Sequence, residues 1–177
     1  MDSELPVSGP HAAPAAVLVA RRGVGQAALS EALGIRLPDG PAVTLEGAVR
    51  AIGQAPHSWL LIGEATDLLI ASRLRRCVTG LASVFDQSSA YLFWRLSGNG
   101  ARPLLQRGAA IDLHPAAFRT GSAATTWIAH IDVVFWQIDD APTFEVAVFR
   151  SFASDFQYWL AAATKADAGA DHQPRRL

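Results

Sequence analysis

The chain has 177 residues and a formal net charge of −1, a length that fits one domain and a charge balance that gives nucleic acid nothing to grip. Half of the residues are hydrophobic and only 18% are charged, below the roughly 25% of an average soluble protein, which implies an ample core and surface hidden in a complex. Cys77 is the single cysteine, so an internal disulfide is excluded and a reducing, cytoplasmic compartment is expected.

In chain order, residues 1–16 are rich in Pro, Ala and Gly and read as a flexible tail. Pro6, Pro10 and Pro14 interrupt the first charge-free run, and Asp2 and Glu4 stand where a leader would be basic, so neither a signal peptide nor a membrane span is expected. A single domain is expected over 17–164. It begins with a strand at 17–20 and a helix at 26–33 stopped by Gly34. A loop through Pro38-Asp39-Gly40-Pro41 then leads to strands at 43–49 and 58–62, and Thr66 caps a helix that runs to about Cys77.

The second half continues with strands at 82–86 and 90–96, a helix at 101–107 and an irregular link through His114-Pro115. Three strands follow at 122–130, 132–138 and 143–149, with turn chemistry in Asp139-Asp140-Ala141-Pro142. Ser151 is expected to cap a final helix whose Phe152, Phe156, Trp159, Leu160 and Ala163 form one apolar stripe. Residues 165–177 read as a second flexible tail. Interleaved helices and hairpins imply an α+β fold, antiparallel sheets with packed helices.

The stretch "LFWRLSGNGARPLLQRG" opens like a dinucleotide fingerprint, with Gly98-x-Gly100 after an apolar strand. Pro103 stands where the third glycine belongs, and no acidic residue follows at the distance where the ribose would be held. A strand-to-helix turn is therefore expected. There is no G-x-S-x-G elbow, and Lys165 is the only lysine, so a hydrolase signature is missing. The five histidines are scattered without metal-ligand spacing. Asp86 with Ser88 and Ser89 reads as an Asx-type turn, and Asp139-Asp140 as a hairpin tip. The residues on their own thus assign no catalytic group, no cofactor-binding group and no metal ligand.

A resemblance carries the reading further. The run 83–160 contains, in order, "DQSSAY", "LSGNGARPLLQRG", "DLHPAAF", "AHIDVVFWQIDDAPTFE" and "RSFA". It resembles the gamma subunit of bacterial heterotetrameric sarcosine oxidase; the first 80 residues resemble it more loosely, through "LGIRLPDGP" and "SWLLIGE". That family is in turn similar to the folate-binding domain of the glycine-cleavage aminomethyltransferase.

The resemblance implies a non-catalytic subunit in a cytoplasmic complex with alpha, beta and delta partners, without nucleic acid or membrane. The complex would demethylate sarcosine to glycine, yielding hydrogen peroxide and passing the one-carbon unit to tetrahydrofolate. FAD, FMN, NAD, zinc and tetrahydrofolate would belong to the partner subunits. The contact residues expected on this chain are Arg95, His114, Phe118 and Arg119, shared with the family without a packing reason visible in the sequence. The alternative is a stand-alone folate-binding one-carbon transfer module. Its carboxylate could come only from Asp132, in "AHIDV", where the aminomethyltransferases carry a glycine pair before paired aspartates. The missing glycine turn argues against folate here.

Overall fold

Tyr91, Phe93 and Arg95 alternate with Leu92, Trp94 and Leu96, and this alternation becomes a strand with two differently packed faces. The computed structural model describes residues 5–170. Their order is β1 (Val7–His11), β2 (Ala15–Ala20), α1 (Gln26–Leu33), β3 (Val43–Glu46), β4 (Val49–Ala55), β5 (Ser58–Ile62) and α2 (Ile70–Cys77) in the first half. Then come β6 (Ala82–Asp86), β7 (Tyr91–Ser97), α3 (Ala101–Gln106), β8 (Ala123–Ile128), β9 (Ile131–Asp139), β10 (Thr143–Phe149), a 3-10 turn at Arg150–Phe152 and α4 (Ala153–Ala170).

The strands form two antiparallel five-stranded sheets, sheet I in the order β1-β7-β10-β9-β8 and sheet II in the order β3-β4-β5-β2-β6. Four layers result, because each sheet buries both faces. The inner faces meet through Phe93, Val134 and Ala147 of sheet I and Ile52, Leu60 and Ile62 of sheet II. On the outer face of sheet I, Phe135, Phe144 and Val146 pack under α3 and α4 through Leu104, Phe156 and Leu160. On the outer face of sheet II, Leu18 and Leu61 pack under α1 and α2 through Leu29 and Leu74. This is the α+β arrangement of antiparallel sheets and packed helices that the sequence implies. The central strand β10 is buried from Thr143 to Val148, as a strand covered on both sides must be.

Several boundaries differ from expectation. The segment 1–16, expected as a flexible tail, contains strand β1, which pairs with the exposed edge of β7, and the start of β2. Pro and Gly obscured that strand because an edge strand tolerates both. The strand expected at 43–49 is a hairpin, β3 and β4, folded at Gly47 with φ 57°. Thr66 caps no helix: α2 starts at Ile70, after a turn in which Asp67 pairs with Arg73 at 2.5 Å. Ser151 lies inside the 3-10 turn. Phe152 leaves the expected stripe and is exposed, while Phe156 and Leu160 are buried. Cys77 is exposed at the end of α2. At the other end, helix α4 continues to Ala170 through part of the expected 165–177 tail, and residues 171–177 lie outside those described. No described helix is long and apolar enough to cross a membrane.

Candidate functional site

Strands β9 and β10 are paired so that Trp136 lies opposite Glu145 and Gln137 opposite Phe144. Successive residues of a strand point to opposite faces, so neighbouring positions 136 and 137 feed two separate polar clusters.

The outer cluster is organised by Arg102 of α3. Its Nη2 donates to Gln137 Oε1 at 2.7 Å, and its Nη1 donates to the carbonyls of Phe118, at 3.0 Å, and Leu113. The guanidinium also lies 5.2 Å from the Phe144 ring centroid, a cation–π contact. Gln137 is 2% exposed and donates from Nε2 to the Asp139 carbonyl at 2.7 Å. Burial pushes the Arg102 pKa down. These bonds fasten the irregular link of residues 108–122 onto sheet I.

The inner cluster is a cross-strand row of Arg95, Glu145 and Trp136 on β7, β10 and β9. Arg50 reaches it from β4 of sheet II, with Nη1 2.5 Å from Glu145 Oε2, while Arg95 Nη1 stands 3.9 Å from Glu145 Oε1. The glutamate is 4% exposed, but both arginine side chains are near half exposure, at 40% and 46%. Two cations thus share one buried carboxylate, leaving one positive charge in excess. Trp136 is fully buried, and its Nε1–H is the one buried side-chain polar atom without a partner among the described residues. The row opens on a pocket of about 350 Å³ whose apolar wall includes Val43, Leu45, Trp136 and Ile138.

A second pocket, of about 470 Å³, lies against sheet II between Pro38, Pro41, Pro56 and Trp59, with Asp39 and His57 also lining it. Two of its polar side chains hold the 35–42 loop. Trp59 Nε1 donates to the Pro38 carbonyl at 2.9 Å and Gln26 Nε2 to that of Leu37. A Cβ on Gly53 would fall 1.9 Å from the Gly40 carbonyl oxygen, so glycine is required there for packing.

The four residues expected at a subunit contact separate. Arg95 joins the inner cluster. His114 and Arg119 are exposed on the link; the His114 N–H donates to Asp112 Oδ1 at 2.8 Å and Arg119 N–H to Ser122 Oγ at 3.0 Å. Phe118 is corrected to a core residue: it is 5% exposed and stacks on Phe135 at 5.1 Å between centroids. The turn that begins at His114 folds it inward, its N–H donating to the His114 carbonyl at 2.9 Å.

Asp132 is exposed on the inner face, opposite Trp127, and belongs to neither pocket. The hairpin before it does form without glycine, because Ala129 and His130 take φ of 51° and 67°, the left-handed values a two-residue loop requires.

The glycine stretch also resolves. The Gly98 N–H donates to the Pro142 carbonyl at 3.1 Å and the Ala101 N–H to that of Gly98 at 2.9 Å, so those donors serve the turn. The Asx turn at 86–88 is present, with Ser88 N–H donating to Asp86 Oδ1 at 2.9 Å, and that bond holds the Asp86 carboxyl below its usual range. Arg50, Arg102, Glu145, Trp136 and Gln137 were missed as a group. For Arg50, Gln137 and Glu145 the signal was a charged or amide side chain placed in an otherwise apolar strand, as in "TFEVAVF" and "VVFWQID".

Comparison with known proteins follows the same lines. The profile of the sarcosine oxidase, gamma subunit family matches residues 20–167. Sarcosine oxidase subunit gamma of Corynebacterium sp. strain P-1 is 32% identical over 140 residues, covering 77% of this chain and 68% of that protein. The same subunit of Corynebacterium sp. strain U-96 is 29% identical over 141 residues, covering 77% and 67%. Among solved structures, heterotetrameric sarcosine oxidase from Corynebacterium sp. U-96 in complex with pyrrole 2-carboxylate contains a chain that matches with TM-score 0.81 and 25% identity, covering 92% of this chain and 84% of that one. Aminomethyltransferase T of the glycine cleavage system from Bartonella henselae shares the fold, with TM-score 0.61 and 15% identity over 83% of this chain and 42% of that one.

Proposed function

We propose, from the premise that this chain belongs to the sarcosine oxidase gamma subunit family, that it is the non-catalytic gamma subunit of a heterotetrameric sarcosine oxidase. The observation that carries this reading is the likeness of fold, across 92% of the chain, to a chain of such an oxidase. The alpha, beta and delta subunits are its partners. They hold FAD, FMN, NAD, zinc and tetrahydrofolate and carry out the oxidation of sarcosine to glycine, while this chain contributes by being bound.

His114 and Arg119 are its contact residues. Both project from the 108–122 link, whose backbone Arg102 fastens from beneath. A surface ordered before the partner arrives loses little conformational freedom on docking. The folate-module alternative finds no support, since Asp132 stands outside both pockets.

Co-expression with tagged alpha, beta and delta subunits should recover this chain at one copy per complex. Arg119→Ala should weaken assembly by about 1–3 kcal/mol, the range of a contact arginine, with an unchanged melting temperature of the isolated chain. Failure to co-purify at any ratio would overturn the subunit reading. Asp132→Asn abolishing turnover in a fully assembled complex would restore the folate-transfer alternative.

A further inference from the structure

The geometry points to the pocket between the two sheets as a binding site for a small apolar-bodied monocarboxylate that carries a second oxygen. Three observations converge on that chemistry, and none depends on the subunit reading.

Charge comes first. Glu145 is buried and already paired at 2.5 Å with Arg50, whereas Arg95 is held at 3.9 Å only. Arg95 therefore retains donors for an anion, and the cluster of two arginines and one glutamate becomes neutral when one negative charge is added. A carboxylate meets a guanidinium with two parallel N–H···O bonds, which makes it the natural complement. A dianion would overshoot the balance beside the buried glutamate, and a cation would meet two like charges.

Shape and wall chemistry come second. About 350 Å³ lies at the small end of ligand pockets, and a wall of Val43, Leu45, Trp136 and Ile138 suits an aromatic or aliphatic body.

The third observation is the unmet donor. Trp136 belongs to that wall, and its buried Nε1–H meets no acceptor among the described residues. A buried N–H left unpaired is destabilising. The Trp136 N–H has no accessible surface, so a ligand oxygen gains its hydrogen bond, without breaking another, only as the indole wall shifts to admit it. Arg95 and Trp136 flank Glu145 on adjacent strands, so they stand about 10 Å apart at the backbone. The carboxylate and the second oxygen must accordingly sit at opposite ends of a short rigid body.

The test uses 4-hydroxybenzoate as probe against the full chain, with 4-hydroxybenzamide as the uncharged control and benzoate as the control lacking the second oxygen. Binding is followed by equilibrium dialysis and by the indole N–H resonances in nitrogen-15-labelled protein, Trp136 being assigned through Trp136→Phe. The expected result is saturable binding of 4-hydroxybenzoate that shifts the Trp136 indole resonance. The amide should bind more weakly, and Arg95→Ala should lower affinity by about tenfold or more, as the loss of a charged hydrogen bond implies. Arg95 is half exposed and only loosely paired, so this variant keeps its fold. In the assembled complex, the difference in bound probe between wild type and Arg95→Ala isolates this pocket from sites on other subunits. No saturable binding at millimolar probe, equal affinity for acid and amide, or equal affinity in Arg95→Ala would each overturn the proposal.

Discussion

The two faces of sheet I at Trp136 and Gln137 carry comparable polar side chains and use them in opposite ways. On the outer face the Arg102 guanidinium has three protein acceptors and an aromatic ring, and Gln137 spends both ends of its amide on protein groups. On the inner face two arginines divide one carboxylate, and the Trp136 N–H is left without an acceptor. A cluster whose hydrogen bonds are all made within the chain holds the chain together. A cluster with donors to spare, open to a pocket, holds something else. The difference predicts that Arg102 on the outer face serves stability, whereas Arg95 on the inner face chiefly serves binding.

The largest effect is expected from Arg102→Ala. It deprives the carbonyls of Leu113 and Phe118 and the Oε1 of Gln137 of their donor, and it undocks the 108–122 link. Loss of about 3–4 kcal/mol is expected in urea denaturation, because three acceptors lose a charged donor at once and Gln137 is left buried without it. Arg102→Lys should recover only part of it, because an ammonium cannot present the planar fork that bridges the three acceptors. A loss under 1 kcal/mol would erase the contrast between the faces.

The inner cluster should show an asymmetry instead. Arg50→Ala leaves Glu145 buried with only the distant Arg95 as partner, and should cost about 2–3 kcal/mol. Glu145→Ala leaves two arginines that are already near half exposure and can be hydrated in place, so about 1 kcal/mol is expected. Denaturation of the two variants side by side measures the difference. Equal costs would mean that the cross-sheet pair acts as a closed bracket like Arg102.

How much of this was legible in the sequence depends on range. Local patterns located β7, β9, β10 and the turn at 139–142, since alternation and turn residues act within a few positions. The stripe of α4 placed Phe156 and Leu160 in the core for the same reason. Strand β1 was missed because an edge strand needs little propensity of its own when a neighbour supplies its hydrogen bonds. The inner cluster was illegible because Arg50 and Glu145 are 95 positions apart, and only the packing of one sheet on the other brings them together. Arg95 was singled out as a contact residue for want of a packing reason; the pairing register shows what it faces. Phe118 was misplaced because nothing local announces that an irregular link folds an aromatic ring inward.

Register offers a way to sharpen the contrast, since a slip of one residue in β9 would exchange Trp136 and Gln137 between the faces. The hairpin that fixes it turns through Ala129 and His130, both left-handed, which costs a residue with a Cβ about 1–2 kcal/mol. His130→Gly should therefore raise stability, by about 0.5–1 kcal/mol after the greater freedom of glycine in the unfolded chain is counted. Differential scanning calorimetry would register this as a higher melting temperature. Both clusters should remain intact, judged by unchanged indole N–H resonances. A fall in stability would mean that the His130 side chain makes a contribution larger than its backbone strain.

The smallest effect separates the faces most sharply. Arg95 is half exposed and 3.9 Å from the carboxylate it faces, and exposed pairs of that kind contribute between nothing and about 1 kcal/mol. Arg95→Ala should thus change the denaturation midpoint by no more than about 0.5 kcal/mol, since Arg50 keeps the buried glutamate paired at 2.5 Å. Arg102→Ala, on the opposite face of the same sheet, should be several times more damaging although it removes the same side chain. Raising ionic strength should shrink the small Arg95 effect further, because screening acts on exposed charges, and should leave the Arg102 effect nearly unchanged. If Arg95→Ala proved as destabilising as Arg102→Ala, its guanidinium would be a structural bracket rather than a donor held in reserve. The inner pocket would then have no free charge with which to recognise a carboxylate.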